Sequence, residues 1–353
     1  MGDSIGVLVF LPLLLIAFGQ PRGVWRKRIY SVGLPLLAAF AAAVLVFYLA
    51  EQQQTNQQLD FVRKTETISN EITERIESSA EVVHSVAMLF QSSRHVQRDE
   101  FQRFVDRSLS RHPEIRALGW IPRVPSEERA AYEQAARDDG PSQADPQVRK
   151  GLAAFQFKRW TPDERWVPPA GDEPGDYFPV FYLEPYERNE PALGIDLGSN
   201  PSRRLALDAA RDSGQPMATP PIMLAQETED CAGFLLLVPI YDNALPHDTR
   251  AQRRDHLRGY ASGVFRMRDI VEAALAGTQS DDIELRIVDE SAQSPPGPVL
   301  LAQTPGSTLP LSSEHLRLKR VIPNEIGGRT WRLHFTPSEA YLAASQHNIH
   351  WVI

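Results

Sequence analysis

Asp196 has the setting in this chain that most invites a chemical role. It ends the apolar segment Ala192-Leu193-Gly194-Ile195 and precedes Leu197-Gly198-Ser199-Asn200-Pro201. Upstream lie an apolar run, Tyr177–Leu183, and a proline-bounded loop. Two readings stay open. The carboxylate forms a turn or helps cap the helix that Pro201 begins. Alternatively it projects into a pocket roofed by Tyr182 and Leu183, where a buried carboxylate persists only if a donor satisfies it. Two acidic pairs have blander explanations. Glu127 and Glu128 are adjacent at a helix start and point apart, and Glu229-Asp230 falls in a loop. His84, in Glu81-Val82-Val83-His84-Ser85-Val86, reads as an interface or surface histidine on an exported segment. Cys231 is the one cysteine, so no intrachain disulfide and no multi-cysteine zinc site can form. It reads as a small packing residue; as a lone exported thiol it could instead cross-link a dimer. The nine histidines are scattered, and GxSxG, GxxxxGK[ST], HExxH and GxGxxG motifs are absent. No catalytic residue, metal site or cofactor is expected in the chain shown.

The elements around these residues read as follows. Residues 51–98 carry no proline or glycine, and Ile68, Ile72, Ile76, Ala80, Val83, Ala87 and Phe90 recur at helical spacing. That predicts a long stalk helix whose apolar stripe packs against a partner helix in a dimer near the membrane and against the following domain further out. Residues 98–111 predict a second amphipathic helix with Phe101, Phe104, Val105 and Leu109 on one face. Strands are expected at 115–124, 154–160, 177–183, 232–241 and 257–267. Helices are expected from Ser126, as N-cap, to Asp138, and from Asn200, as N-cap, to Gly214. Residues 242–256 read as a surface loop. A short helix over 268–276, strands at 282–290, 299–303, 315–322 and 328–336, and a helix begun by Pro337 complete the pattern. Helices flanking antiparallel sheets make this an α+β chain.

The ends are apolar. Residues 30–50 carry no charge over about 21 residues, the length of one spanning helix, and follow a basic cluster of Arg22, Arg26, Lys27 and Arg28. Positive residues stay cytoplasmic, so this helix should run outward. A shorter apolar run at 5–19 suggests the end of a truncated span, and His350–Ile353 the first turn of another. The expected layout is a partial span and basic loop (1–29), a transmembrane helix (30–50), a stalk (51–98), a membrane-distal subdomain (99–267), a membrane-proximal subdomain with exit helix (268–345) and the start of a second span (346–353). On this reading the chain is a fragment that stops before a cytoplasmic output module.

Composition closes off other classes. With 353 residues, 23% charged and 42% hydrophobic, the chain is neither collagen-like nor polytopic throughout. A net charge of −8 argues against a general nucleic-acid binder, so no nucleic-acid partner is expected.

Three segments in order carry a family resemblance: IRALGWIPRVPSEERAAYE (115–133), FPVFYLEPYERNEPALGIDLGSNPSRRLALDAARDSGQPMAT (178–219) and GFLLLVPIYDNA (233–244). Together they resemble the CHASE domain, the extracytoplasmic sensory domain of many receptor histidine kinases and diguanylate cyclases, over roughly residues 80–270. Residues 11–28 also resemble the end of a MASE-type membrane module. The CHASE resemblance implies a stalk helix with two tandem PAS-like subdomains, a ligand pocket in the distal one, a homodimer, and a bacterial inner-membrane protein with its sensor in the periplasm or outside the cell. In the plant cytokinin receptors of this family an aspartate hydrogen-bonds the adenine ring, and its motif position falls on Asp196. Tyr182 and Leu183 match the pocket strand, and Ala218 and Thr219 the positions after the helix end. The sequence departs from that pattern at Ala218, where the plant receptors have a larger aliphatic residue, and in Pro220-Pro221. The function implied is a small-molecule sensor, with adenine-like compounds among the ligand classes; the alternatives are a dimerisation or docking domain without a ligand and an exported hydrolase.

Overall fold

The stripe from Ile68 to Phe90 becomes the buried face of one helix. In the computed structural model, which describes residues 34–93, 95–139, 152–161, 165–169, 175–222, 233–276, 283–291, 299–302, 318–338 and 341, this helix is α1, Leu34–Ser92. Ile68, Ile72, Ile76, Val83, Ala87 and Phe90 are all buried along it. It stops six residues short of the expected stalk end. The chain divides into two compact units, residues 1–63 with 339–353, and residues 64–338.

In the first unit, Leu37, Phe40, Val44 and Phe47 are exposed on α1, and Tyr341 packs edge-on against Phe61. Among the described residues no helix is long and apolar enough to cross a membrane. Residues 30–33 of the expected span lie outside them, as do the expected spans at 5–19 and 346–353 and the exit helix expected after Pro337, save Ser338 and Tyr341.

The second unit follows α1 with α2 (Arg98–Leu109), β1 (Ile115–Pro122), β2 (Val124–Pro125), α3 (Arg129–Asp138), β3 (Arg159–Trp160), β4 (Trp166–Val167), β5 (Asp176–Tyr177) and β6 (Tyr182–Glu184). Then come α4 (Pro201–Ser213), β7 (Met217–Ala218), β8 (Gly233–Tyr241), α5 (Arg250–Asp255), β9 (Leu257–Arg266) and α6 (Met267–Leu275). The last four strands are β10 (Ile283–Asp289), β11 (Val299–Ala302), β12 (Arg320–Ile326) and β13 (Arg329–Pro337). The two larger antiparallel sheets are β6-β1-β9-β8-β7 and β11-β10-β13-β12, and β2 pairs with β5 and β3 with β4.

The first sheet is covered on both faces, which is why all nine residues of β8 are buried. On one face lies α1: Phe90 stacks on Trp120 at 4.3 Å. Gly263 is what lets the helix come so close, because a Cβ there would meet Val83 Cγ2 at 2.5 Å. On the other face lies α4, where Tyr260 donates its hydroxyl to Leu207 O at 2.8 Å. Helix α4 begins as its sequence dictates. Asn200 Oδ1 accepts from the amides of Ser202 and Arg203, Pro201 takes the first position, and Gly214 ends the helix at φ +76°. The second sheet lies along α1 through Asn324, which donates to Thr73 Oγ1 at 2.8 Å, and Arg320, paired with Glu66 at 2.6 Å. The two sheets meet where Ala218 N donates to Gly327 O and Phe234 packs edge-on against Trp331.

Several expectations are corrected. Residues 242–256 hold α5, closed by a capping box of Thr249 and Gln252, rather than a loop throughout. The strand expected at 315–322 is β12, which runs on to Ile326. Pro323 does not end it, because β12 is an edge strand and needs no ladder donor at that position. The expected strand at 177–183 is broken into β5, a bridge at Pro179 and β6, and that at 154–160 is reduced to β3. Ser126 opens a 3-10 turn, and no side chain caps α3.

Candidate functional site

Strand alternation divides the first sheet's residues between its two faces. Phe234, Gly263 and Phe265 lie on the α1 side, whereas Leu235, Ser262, Val264 and Arg266 line a cavity of about 740 Å³ on the other. The facing wall comes from the irregular chain between β5 and α4, including Val180, Ile195 and Leu197. Trp166 and Arg203 close one side.

That wall is shaped by a crossing of three chain segments. Val180 N donates to Ile195 O, Gly194 N to Val180 O, and Asp196 N to Lys158 O. Asp196 fastens the crossing. Its Oδ1 accepts from Phe178 N at 2.8 Å and Gly198 N at 3.0 Å, and its Oδ2 lies 4.0 Å from Arg159 Nε. Burial pushes its pKa up, and the two amides pull the other way. Ile195 and Leu197 line the cavity; Asp196 between them does not. Of the two readings of this residue, the turn-forming one describes the geometry: Asp196 caps the short 3-10 turn Leu197–Ser199.

Leu183 lines the cavity, as expected. Tyr182 does not share that wall, because adjacent strand residues face opposite ways. Its ring packs on Phe101, at 5.6 Å, beneath the guanidinium of Arg98 at 4.6 Å. Its hydroxyl donates to Asp139 Oδ2 at 2.9 Å, with Val96 O at 3.0 Å. Ala218 and Thr219 also lie away from the cavity. Ala218 sits on the seam between the sheets, and Thr219 Oγ1 accepts from Leu235 N at 3.0 Å in the strand ladder. Cys231, Glu229 and Asp230 fall outside the described residues.

The polar groups that do face the cavity are not those the sequence motifs single out. Ser262 and Arg266, four residues apart on β9, bring polar groups to the cavity face. Arg203 stands at the third position of α4, where the helix dipole disfavours a cation. Both were visible signals. The lining also includes Arg116, Arg188 and Glu187. Arg116 pairs with Asp269 at 3.0 Å, and Arg266 approaches the same carboxylate at 4.0 Å. Arg203 rests its guanidinium over the Trp166 ring at 5.2 Å, and burial pulls its pKa down to about 10. Among the described residues no three His, Cys, Asp or Glu side chains converge to hold a metal ion.

Among solved structures, the chain is similar to the ligand-binding domain of the Pseudomonas aeruginosa PAO1 amino acid chemoreceptor PctB, solved with L-Arg. Identity is 11%, over 82% of this chain and 92% of that one, with a TM-score of 0.41. It is also similar to the PctC domain of the same organism, solved with GABA, at 12% identity over 80% and 100% of the two chains, TM-score 0.40. Among curated proteins, it is 26% identical over 198 residues to hybrid signal transduction histidine kinase A of Dictyostelium discoideum. The match covers 51% of this chain and 9% of that much longer protein. A CHASE domain family model matches residues 94–300, more than half of the sequence, and the chain therefore belongs to the CHASE domain family.

Proposed function

We propose that this chain is the extracytoplasmic sensor region of a dimeric transmembrane signalling receptor. A small molecule binds in the cavity beneath the first sheet, and a cytoplasmic output module outside this chain reads the result. One observation carries the reading: on β6, Leu183 faces the cavity while its neighbour Tyr182 faces the helices. A ligand that shifts this strand acts on both faces at once, and Phe90 of α1 stacks on Trp120, the strand partner of Tyr182. Membrane attachment is supported by the exposed apolar side chains of α1 from Leu37 to Leu49, which have no protein surface to bury against among the described residues. For a signal to pass, the ligand must bind the two states of the receptor unequally.

The test is a thermal-shift screen of the chain in detergent micelles with adenine-type compounds, amino acids and small carboxylates. A compound at about 100 times its Kd adds roughly 2.7 kcal/mol of stability. Leu183→Trp puts an indole on one wall of the cavity and should change the shift while the domain stays folded. A hit whose shift is the same in parent and Leu183→Trp places the ligand elsewhere. No hit from a broad set, with a folded dimer, favours a protein-docking or structural role instead.

A further inference from the structure

The cavity's walls and its charge point to a ligand class. The walls are largely apolar: Val180, Leu183, Ile195, Leu197, Leu235 and Val264. The charged groups on the lining are four arginines, Arg116, Arg188, Arg203 and Arg266, against one acid, Glu187. Arg116 is already engaged by Asp269, and Arg188 and Glu187 are exposed at the rim. Arg203 is different. It is half-buried, lies over the Trp166 ring at 5.2 Å, and its guanidinium makes no hydrogen bond or ion pair among the described residues. With no partner of its own, and with its nitrogens not sealed from solvent, this guanidinium is open to an anion that enters the cavity.

Resting on the sensor reading above, we propose that the cavity binds a small carboxylate with an apolar body, its charge seated on Arg203. The planar guanidinium fork matches a carboxylate bidentately. A phosphate dianion fits less well. Its usual donors at a helix start are backbone amides, and Asn200 already occupies those of Ser202 and Arg203. The apolar lining takes the body of the ligand.

The experiment uses the full chain in detergent micelles and two matched pairs, hexanoate with hexanamide and phenylacetate with phenylacetamide, read by tryptophan fluorescence and thermal shift. At least one acid should bind about 10- to 100-fold more tightly than its amide, the range of one charged hydrogen-bonding pair. Arg203→Gln should erase the preference, and Arg203→Lys should restore part of it. Leu183→Trp, which puts an indole on one wall of the cavity, should change the affinity for acid and amide alike. Amides that bind as well as their acids, with both affinities changed in Leu183→Trp, overturn the charge assignment while leaving the sensor reading intact. Acids whose affinity is unchanged in both Leu183→Trp and Arg203→Gln overturn both. Binding of phenyl phosphate but neither acid overturns the assignment in favour of a dianion. No binding by any member of either pair to the folded chain overturns the carboxylate assignment.

Discussion

Glu184 ends β6 with its side chain buried and one oxygen accepting from Tyr186 N at 3.0 Å. Burial pushes its pKa up to about 7 from 4.5, with the Tyr186 amide and Arg98 opposing. The folded state thus binds a proton more tightly than the unfolded chain does. This contribution to stability is complete below pH 4.5 and is lost as pH rises through 7, by up to about 3 kcal/mol. Glu184→Gln, neutral throughout, should be more stable than the parent at pH 8 and should flatten the pH dependence in urea titrations; an unchanged slope would contradict this. Asp196→Ala should cost about 2–4 kcal/mol, because two buried amides lose their acceptor. Asp196→Asn keeps the Oδ1 acceptor and should cost less than about half of that; equal losses by urea unfolding would contradict the cap. The sequence marked Asp196 through its apolar flank and the turn residues after it. Its local partner Gly198 fits the turn reading, whereas Phe178 was not legible, because it reaches Asp196 across a chain crossing.

At the scale of elements, regular periodicity was readable and irregular chain was not. The stripe on α1 and the Asn200-Pro201 start and Gly214 stop of α4 are local signals, and the structure follows them. Helix α5 is only six residues long, too short for a periodic pattern, and depends on the Thr249–Gln252 box. The run at 177–183 looked like one strand by composition. Its middle instead pairs with the Asp196 segment, so the chain bends away from the sheet between β5 and β6. The contact of α1 with β9 supplies a test. Gly263→Val should destabilise by about 1–3 kcal/mol through overpacking on Val83, and Val83→Ala in the same chain should recover part of that loss. Purely additive losses in the double-mutant cycle would mean that the two residues do not share the contact.

Across residues 64–338, α1 is tied to both sheets, to the first through Phe90 and Val83 and to the second through Thr73 and Glu66. The sheets are tied to each other at Ala218, where the β12–β13 turn, with Gly327 at φ +52° and Gly328 at φ +69°, presses against β7. That seam explains the glycine at 327: a Cβ there would meet Ala218 N at 2.7 Å and Ala218 Cβ at 2.9 Å. It was invisible in the sequence, where the two sides lie more than a hundred residues apart. Ala218→Leu should therefore lower thermal stability while leaving binding in the cavity within about twofold, since Ala218 does not line it. A large loss of affinity would return this residue to the site. The central claim is that ligand contact on one face of the first sheet is felt by the helix on the other. Hydrogen–deuterium exchange on the full chain, with and without the strongest compound from the screen, tests it most directly. Protection should rise in the cavity wall at 178–203, and exchange should change along α1 around Val83–Phe90. Protection confined to other segments, or a protected wall with an unaltered α1, would contradict the account.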